Sequence, residues 1–105
     1  MIINYNKLVR DRIPELIEAS GKTYTTEILS PEDYIRMLDA KLDEELAEYH
    51  KDQNIEELAD LMEVIRAIAL ARGYTLEELE QIRAEKAAKR GGFEQRILLK
   101  EVYED

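Results

Sequence analysis

The chain has 105 residues, 45% of them hydrophobic and 37% charged, with a net charge of −9 and no cysteine. That length fits one domain, residues 1–105, and the composition is that of a folded molecule with a heavily charged surface. The acidity argues against electrostatic binding to DNA or RNA, and the missing cysteines remove disulfides, thiolate metal sites and thiol nucleophiles.

No apolar run approaches the roughly 20 residues needed to span a bilayer. The stretch Met1 to Arg12 carries charges where a leader would need an apolar segment. The expectation is a cytoplasmic protein with no membrane partner. Acidity does not exclude a phosphate substrate, because a divalent cation held between carboxylates inverts the local sign.

The first predicted helix is short, about Ile13 to Ala19, with Pro14 in its first turn and Gly21 as a stop. Thr23 to Leu29 is rich in β-branched residues and reads as a possible short strand. The second helix starts at Ser30-Pro31-Glu32-Asp33, where Ser30 caps, Pro31 presets φ and the acids face the positive end of the helix dipole. It runs to about Lys51, with Ile35, Leu38, Leu42, Leu46 and Tyr49 as its apolar stripe.

The third helix starts at Asn54, with Glu57 in the capping-box position, and ends near Gly73. Between Leu61 and Ala71 only Glu63 and Arg66 are charged, so burial on more than one side is expected. The fourth helix starts at the Thr75/Glu78 capping box, runs to about Lys89 and stops at Gly91-Gly92. Arg96 to Tyr103 is a second possible strand, a partner for Thr23 to Leu29. The fold class expected is all-α, an antiparallel helical bundle with a possible minor two-stranded β element.

The chemistry is carried by acids. Glu45 and Glu48 lie three apart on the second helix, and Glu57 and Asp60 three apart on the third, so each pair shares a face. A loop of about Asp52 to Gln53 makes the helices antiparallel neighbours, and the two pairs can face each other across the seam. Glu57 continues the row of Leu61, Val64 and Ile68, and Asp60 continues that of Val64, Ala67 and Ala71. Acids in partly apolar surroundings repel one another and resist desolvation, and a bound cation relieves both. Oxygen ligands without Cys or His favour Mg²⁺ or Mn²⁺ over Zn²⁺. The plainer alternative stays open: Glu57 as a capping-box residue, and Glu44, Glu45 and Glu48 as a solvated face.

Four ordered segments carry a resemblance. They are Tyr5-Asn6-Lys7-Leu8-Val9-Arg10-Asp11, Lys41-Leu42-Asp43-Glu44-Glu45-Leu46-Ala47-Glu48, Glu56-Glu57-Leu58-Ala59-Asp60-Leu61 and Lys89-Arg90-Gly91-Gly92-Phe93. Over nearly its whole length the chain resembles the MazG-like, all-α nucleoside triphosphate pyrophosphohydrolases, in particular a small house-cleaning subgroup also labelled phosphoribosyl-ATP pyrophosphohydrolase-like. The resemblance implies Mg²⁺-dependent hydrolysis of a non-standard nucleoside triphosphate between the α and β phosphates, giving monophosphate and pyrophosphate. It maps the metal ligands onto Glu45, Glu48, Glu57 and Asp60. The separation between the two acid motifs is shorter than in typical members of the family, which bears on substrate range.

On that reading Glu44 or Glu45 orients or deprotonates the attacking water. Lys7, Arg10, Arg12, Lys41, Lys89 and Arg90 are the candidates to meet phosphate charge. Each cation also has a structural explanation. Lys41 can pair with Glu45 one turn on, Arg10 and Arg12 can tie down the N-terminal segment, and Lys89 and Arg90 suit any helix C-terminus. Tyr5 and Phe93 read as core residues before base-stacking ones, and His50 as a surface residue. The expected partners are a nucleotide substrate and further copies of the chain in a homo-oligomer. Two alternatives stand beside this: hydrolysis of phosphoribosyl-ATP by the same chemistry, and a non-enzymatic helical interaction or dimerisation module with solvated acids.

Overall fold

The computed structural model describes residues 1–104 and contains the helices α1 (Ile13–Ala19), α2 (Pro31–Asp52), α3 (Ile55–Ala71) and α4 (Leu76–Arg90). No strand occurs among the described residues, and the chain is an all-α bundle. Local chemistry sets the helix boundaries. Ser30 accepts the Asp33 N–H at 3.2 Å, Asn54 accepts the Glu57 N–H at 3.0 Å, and Thr75 and Glu78 exchange both bonds of a capping box. At Asn54 only the first half of the box is recorded, which leaves the Glu57 carboxylate free to turn elsewhere.

The turn between α2 and α3 consists of Gln53 and Asn54. Gln53 adopts φ 52°, a left-handed conformation, and donates its N–H to the Tyr49 carbonyl at 2.7 Å. This tight reversal makes α2 and α3 the principal packed pair of the molecule, while α4 touches α3 only lightly. Leu38 of α2, 3% exposed, and Val64 and Ala69 of α3 form the buried core. Burying Leu38 contributes roughly 1.5–3 kcal/mol. Ile35, Leu42 and Tyr49 are half-buried along the same stripe, and Arg72 at the end of α3 reaches Asp39 of α2 at 3.3 Å.

Four expectations need correction. The β element is absent: residues 23–29 and 96–103 form no strand. β-branched content favours an extended chain, but a strand exists only where a partner takes up its N–H and C=O groups. Second, α3 is buried on one side only, with Leu58, Met62, Ile65 and Leu70 exposed, because α4 leaves that side uncovered. Third, Leu46 lies 43% exposed, since α2 packs against α3 and no other helix. Fourth, Tyr5 and Phe93 are not core residues; Phe93 is 96% exposed.

The chain is also open in shape, 67 × 31 × 24 Å with a radius of gyration of 18.8 Å. A closed domain of this length has a radius near about 13 Å. The accessible surface is 10041 Å², whereas a folded monomer of this mass exposes about 6,100 Å².

Candidate metal centre

The acids that sequence spacing singles out sit where the α2–α3 hairpin closes. Glu45 from α2 and Glu57 and Asp60 from α3, all half-buried, place carboxylate oxygens within 4.8 Å of one another. Glu57 also joins a second, more exposed group with Glu48 and Asp52, again within 4.8 Å. The four predicted ligands thus fall into two overlapping sets that share Glu57. Opposite oxygens around Mg²⁺ lie about 4.2 Å apart, so oxygens spread to the 4.8 Å limit would draw in slightly to hold that ion.

Asp52 was not singled out by sequence. Its signal was available: Asp52 follows Glu48 by four residues, one helical turn, at the last position of α2. It was read as part of the loop, whereas the helix includes it.

The electrostatics reflect crowding. Partial burial, then the negative charges of Asp60, Asp52, Glu48 and Glu45, push the Glu57 carboxyl above the ordinary carboxylate range. Glu44, beside the cluster, behaves oppositely. Burial works to raise it, but the Lys7 hydrogen bond and the Lys41 charge outweigh burial and hold it below the ordinary range.

Cations from two parts of the chain reach these acids. Lys41 lies 3.5 Å from Glu44 and 3.8 Å from Glu45, within α2. Lys7 donates to Glu44 at 3.2 Å, and Arg10 donates to Asp60 at 2.6 Å, across a separation of 50 residues. Arg12 instead pairs with Glu15 at 3.0 Å, the local structural role weighed for it. Lys89 and Arg90 occupy the last turn of α4 and make no recorded ion pair with the acids among the described residues. His50 is exposed, its ring tilted against Tyr49 at 6.0 Å. An open groove of about 440 Å³, lined in part by Asp11, Tyr34, Glu63, Arg66 and Leu70, includes none of the cluster acids in its lining.

No helix among the described residues is long and apolar enough to cross a membrane. No protein-family model matches the chain, and no solved structure matches it. A protein of Mycolicibacterium smegmatis (strain ATCC 700084 / mc(2)155), described as an uncharacterized protein, is 64% identical over 42 residues, 40% of this chain. The chain spans 43% of that relative's length.

Proposed function

We infer that the chain is a MazG-like, Mg²⁺-dependent nucleoside triphosphate pyrophosphohydrolase whose cation site is the carboxylate cluster at the α2–α3 turn. The observation that carries this reading is the convergence of Glu45, Glu57 and Asp60 within 4.8 Å on half-buried faces, with Lys7, Arg10 and Lys41 at its rim. Carboxylates that only kept the chain soluble would gain by pointing apart into water. The donor set fits the cation: hard oxygens alone, with no sulfur or imidazole among them.

Glu45, Glu57 and Asp60 would hold one ion, and Glu48 and Asp52 with Glu57 would border it or hold a second. When bound, Mg²⁺ supplies a Lewis acid that neutralises phosphate charge. The chain's own residues do the rest. Lys41, Lys7 and Arg10 stand where a triphosphate beside the cluster needs counter-charge. Glu44, pulled down by two lysines, is a weak base and keeps those lysines aligned. Taking the proton from the attacking water then falls to Glu45. Water adds to the α-phosphorus, the α–β phosphoanhydride bond breaks, and pyrophosphate leaves.

The same reading includes self-association. An exposed surface about 4,000 Å² larger than that of a closed monomer is an area that oligomer interfaces bury. A second copy laid along Leu58, Met62 and Ile65 would give α3 the second buried side that its sequence calls for.

Pyrophosphate release from a panel of normal and modified nucleoside triphosphates, with Mg²⁺ and with chelator, tests the reading. Release that needs Mg²⁺ supports it, and the panel names the base. Absence of release from every triphosphate and from phosphoribosyl-ATP at high protein concentration would sink it.

A further inference from the structure

The basic residues that touch the acids are not spread at random. Lys7 and Arg10 both belong to the N-terminal segment that precedes α1, and they bind one acid on each helix of the hairpin. Arg10 takes Oδ1 of Asp60, and Asp60 is itself a member of the half-buried carboxylate triad. Lys7 takes Oε1 of Glu44, the residue next to the triad's Glu45. α1 itself packs on no other helix, so these ion pairs are the recorded polar attachments of the segment to the α2–α3 hairpin among the described residues. Arg10 thus puts one positive charge on the triad itself, and Lys7 puts a second on the acid beside it.

We propose that Lys7 and Arg10 form an electrostatic strap in which Arg10 competes with a divalent cation for Asp60, so that loading the site releases the N-terminal segment. A guanidinium and a divalent cation draw on the same carboxylate charge at Asp60, and each weakens the attraction felt by the other. Both pairs are largely exposed, with Arg10 at 60% and Lys7 at 54% side-chain exposure. Exposed pairs of this kind are weak, so a hard cation held by three carboxylates displaces them. The released cations stay tethered within reach of the cluster and are then available to a phosphate group, which a guanidinium binds with two parallel bonds. Asp11, adjacent to Arg10, lines the groove that also contains Arg66 and Tyr34, so the same release changes one wall of that groove.

This inference rests on the cation-site reading but is separable from it. Mn²⁺ binding is measured on the full chain for the native sequence and for R10Q, R12Q and E57Q. Arg12 supplies the control, because it carries the same charge on the same segment but pairs with Glu15. R10Q is expected to tighten Mn²⁺ binding about two- to fivefold, and R12Q to change it less than about 1.5-fold. Trypsin cleavage after Lys7 and Arg10 is expected to quicken when Mn²⁺ is added to the native chain and not to E57Q, with a peptide of residues 1–20 reporting any effect of Mn²⁺ on the protease. Weaker binding in R10Q would overturn the strap and make Arg10 a residue that positions Asp60. Equal binding in native, R10Q and R12Q chains, or cleavage that is slowed by Mn²⁺, would overturn it too. No Mn²⁺ binding by the native chain would overturn the site reading and the strap together.

Discussion

The turn of the α2–α3 hairpin and the C-terminal segment after α4 are both rich in residues that a solitary chain handles badly, and they solve the problem differently. At the turn, five acids crowd into two overlapping groups, and Arg10 and Lys41 of the same chain come to meet them. After α4, Phe93, Ile97, Leu98 and Leu99 stand largely exposed. Charge acts at a distance and through long side chains, so Lys7 and Arg10 can reach across from another segment. Apolar burial requires surfaces in contact, and a helical pair with one thin seam cannot wrap an arm of chain as well. The comparison separates what one copy builds alone, the acid cluster, from what it leaves exposed, the apolar surfaces.

The largest effect expected is on the side of the comparison that the chain builds alone. Glu57 belongs to both carboxylate groups, so Glu57→Ala should lower Mg²⁺-dependent pyrophosphate release by at least about 100-fold, read as initial rates at saturating Mg²⁺. A variant that keeps native rates would detach the cluster from function altogether.

Next comes the exposed apolar side. Sedimentation velocity should show assemblies of two or more copies, and Met62→Glu, placed at a residue 61% exposed in the single chain, should weaken that association by at least about 2 kcal/mol. A native chain that sediments as a monomer at high concentration would mean that the apolar face of α3 is not covered by another copy.

A smaller effect should appear where neither side is involved. Thr75→Ala removes one bond of the α4 capping box and should cost about 1 kcal/mol in urea denaturation, with pyrophosphate release unchanged. The smallest is a pH effect confined to the cluster. Folding raises the Glu57 carboxyl, so the folded state holds its proton more tightly than the unfolded chain. Glu57 therefore opposes folding when charged, and this cost is relieved as pH falls from above its raised value toward the ordinary 4.5. Without divalent cations, Glu57→Gln should melt higher than the native chain at neutral pH, and the gap should close over that window. A gap that widened as pH fell would contradict the sign.

Much of this was legible in the sequence, for identifiable reasons. Ser30, Asn54 and Thr75 mark helix starts through bonds that involve residues three apart, and all three caps form. The facing of Glu45 toward Glu57 and Asp60 follows from helical spacing and a two-residue turn, both local properties. What escaped depends on distance or on absent neighbours. The Arg10–Asp60 bond joins residues 50 positions apart, and no period in the sequence encodes it. The apolar circumference of α3 was read as burial on several sides, but periodicity says only that a surface should be covered, not by which chain. The β-branched run from Thr23 to Leu29 was misread for the same reason: it records a preference for extension without a pairing partner.

The central claim is that the acids at the α2–α3 turn hold a divalent cation. Calorimetric titration of Mn²⁺ into the native chain, E57Q and E101Q tests it most directly, because Glu101 lies outside both carboxylate groups and contacts Tyr103 instead. Saturable binding in the native chain and in E101Q, lost in E57Q, is the expected result. Binding that E57Q retains, or that the native chain lacks, would contradict it.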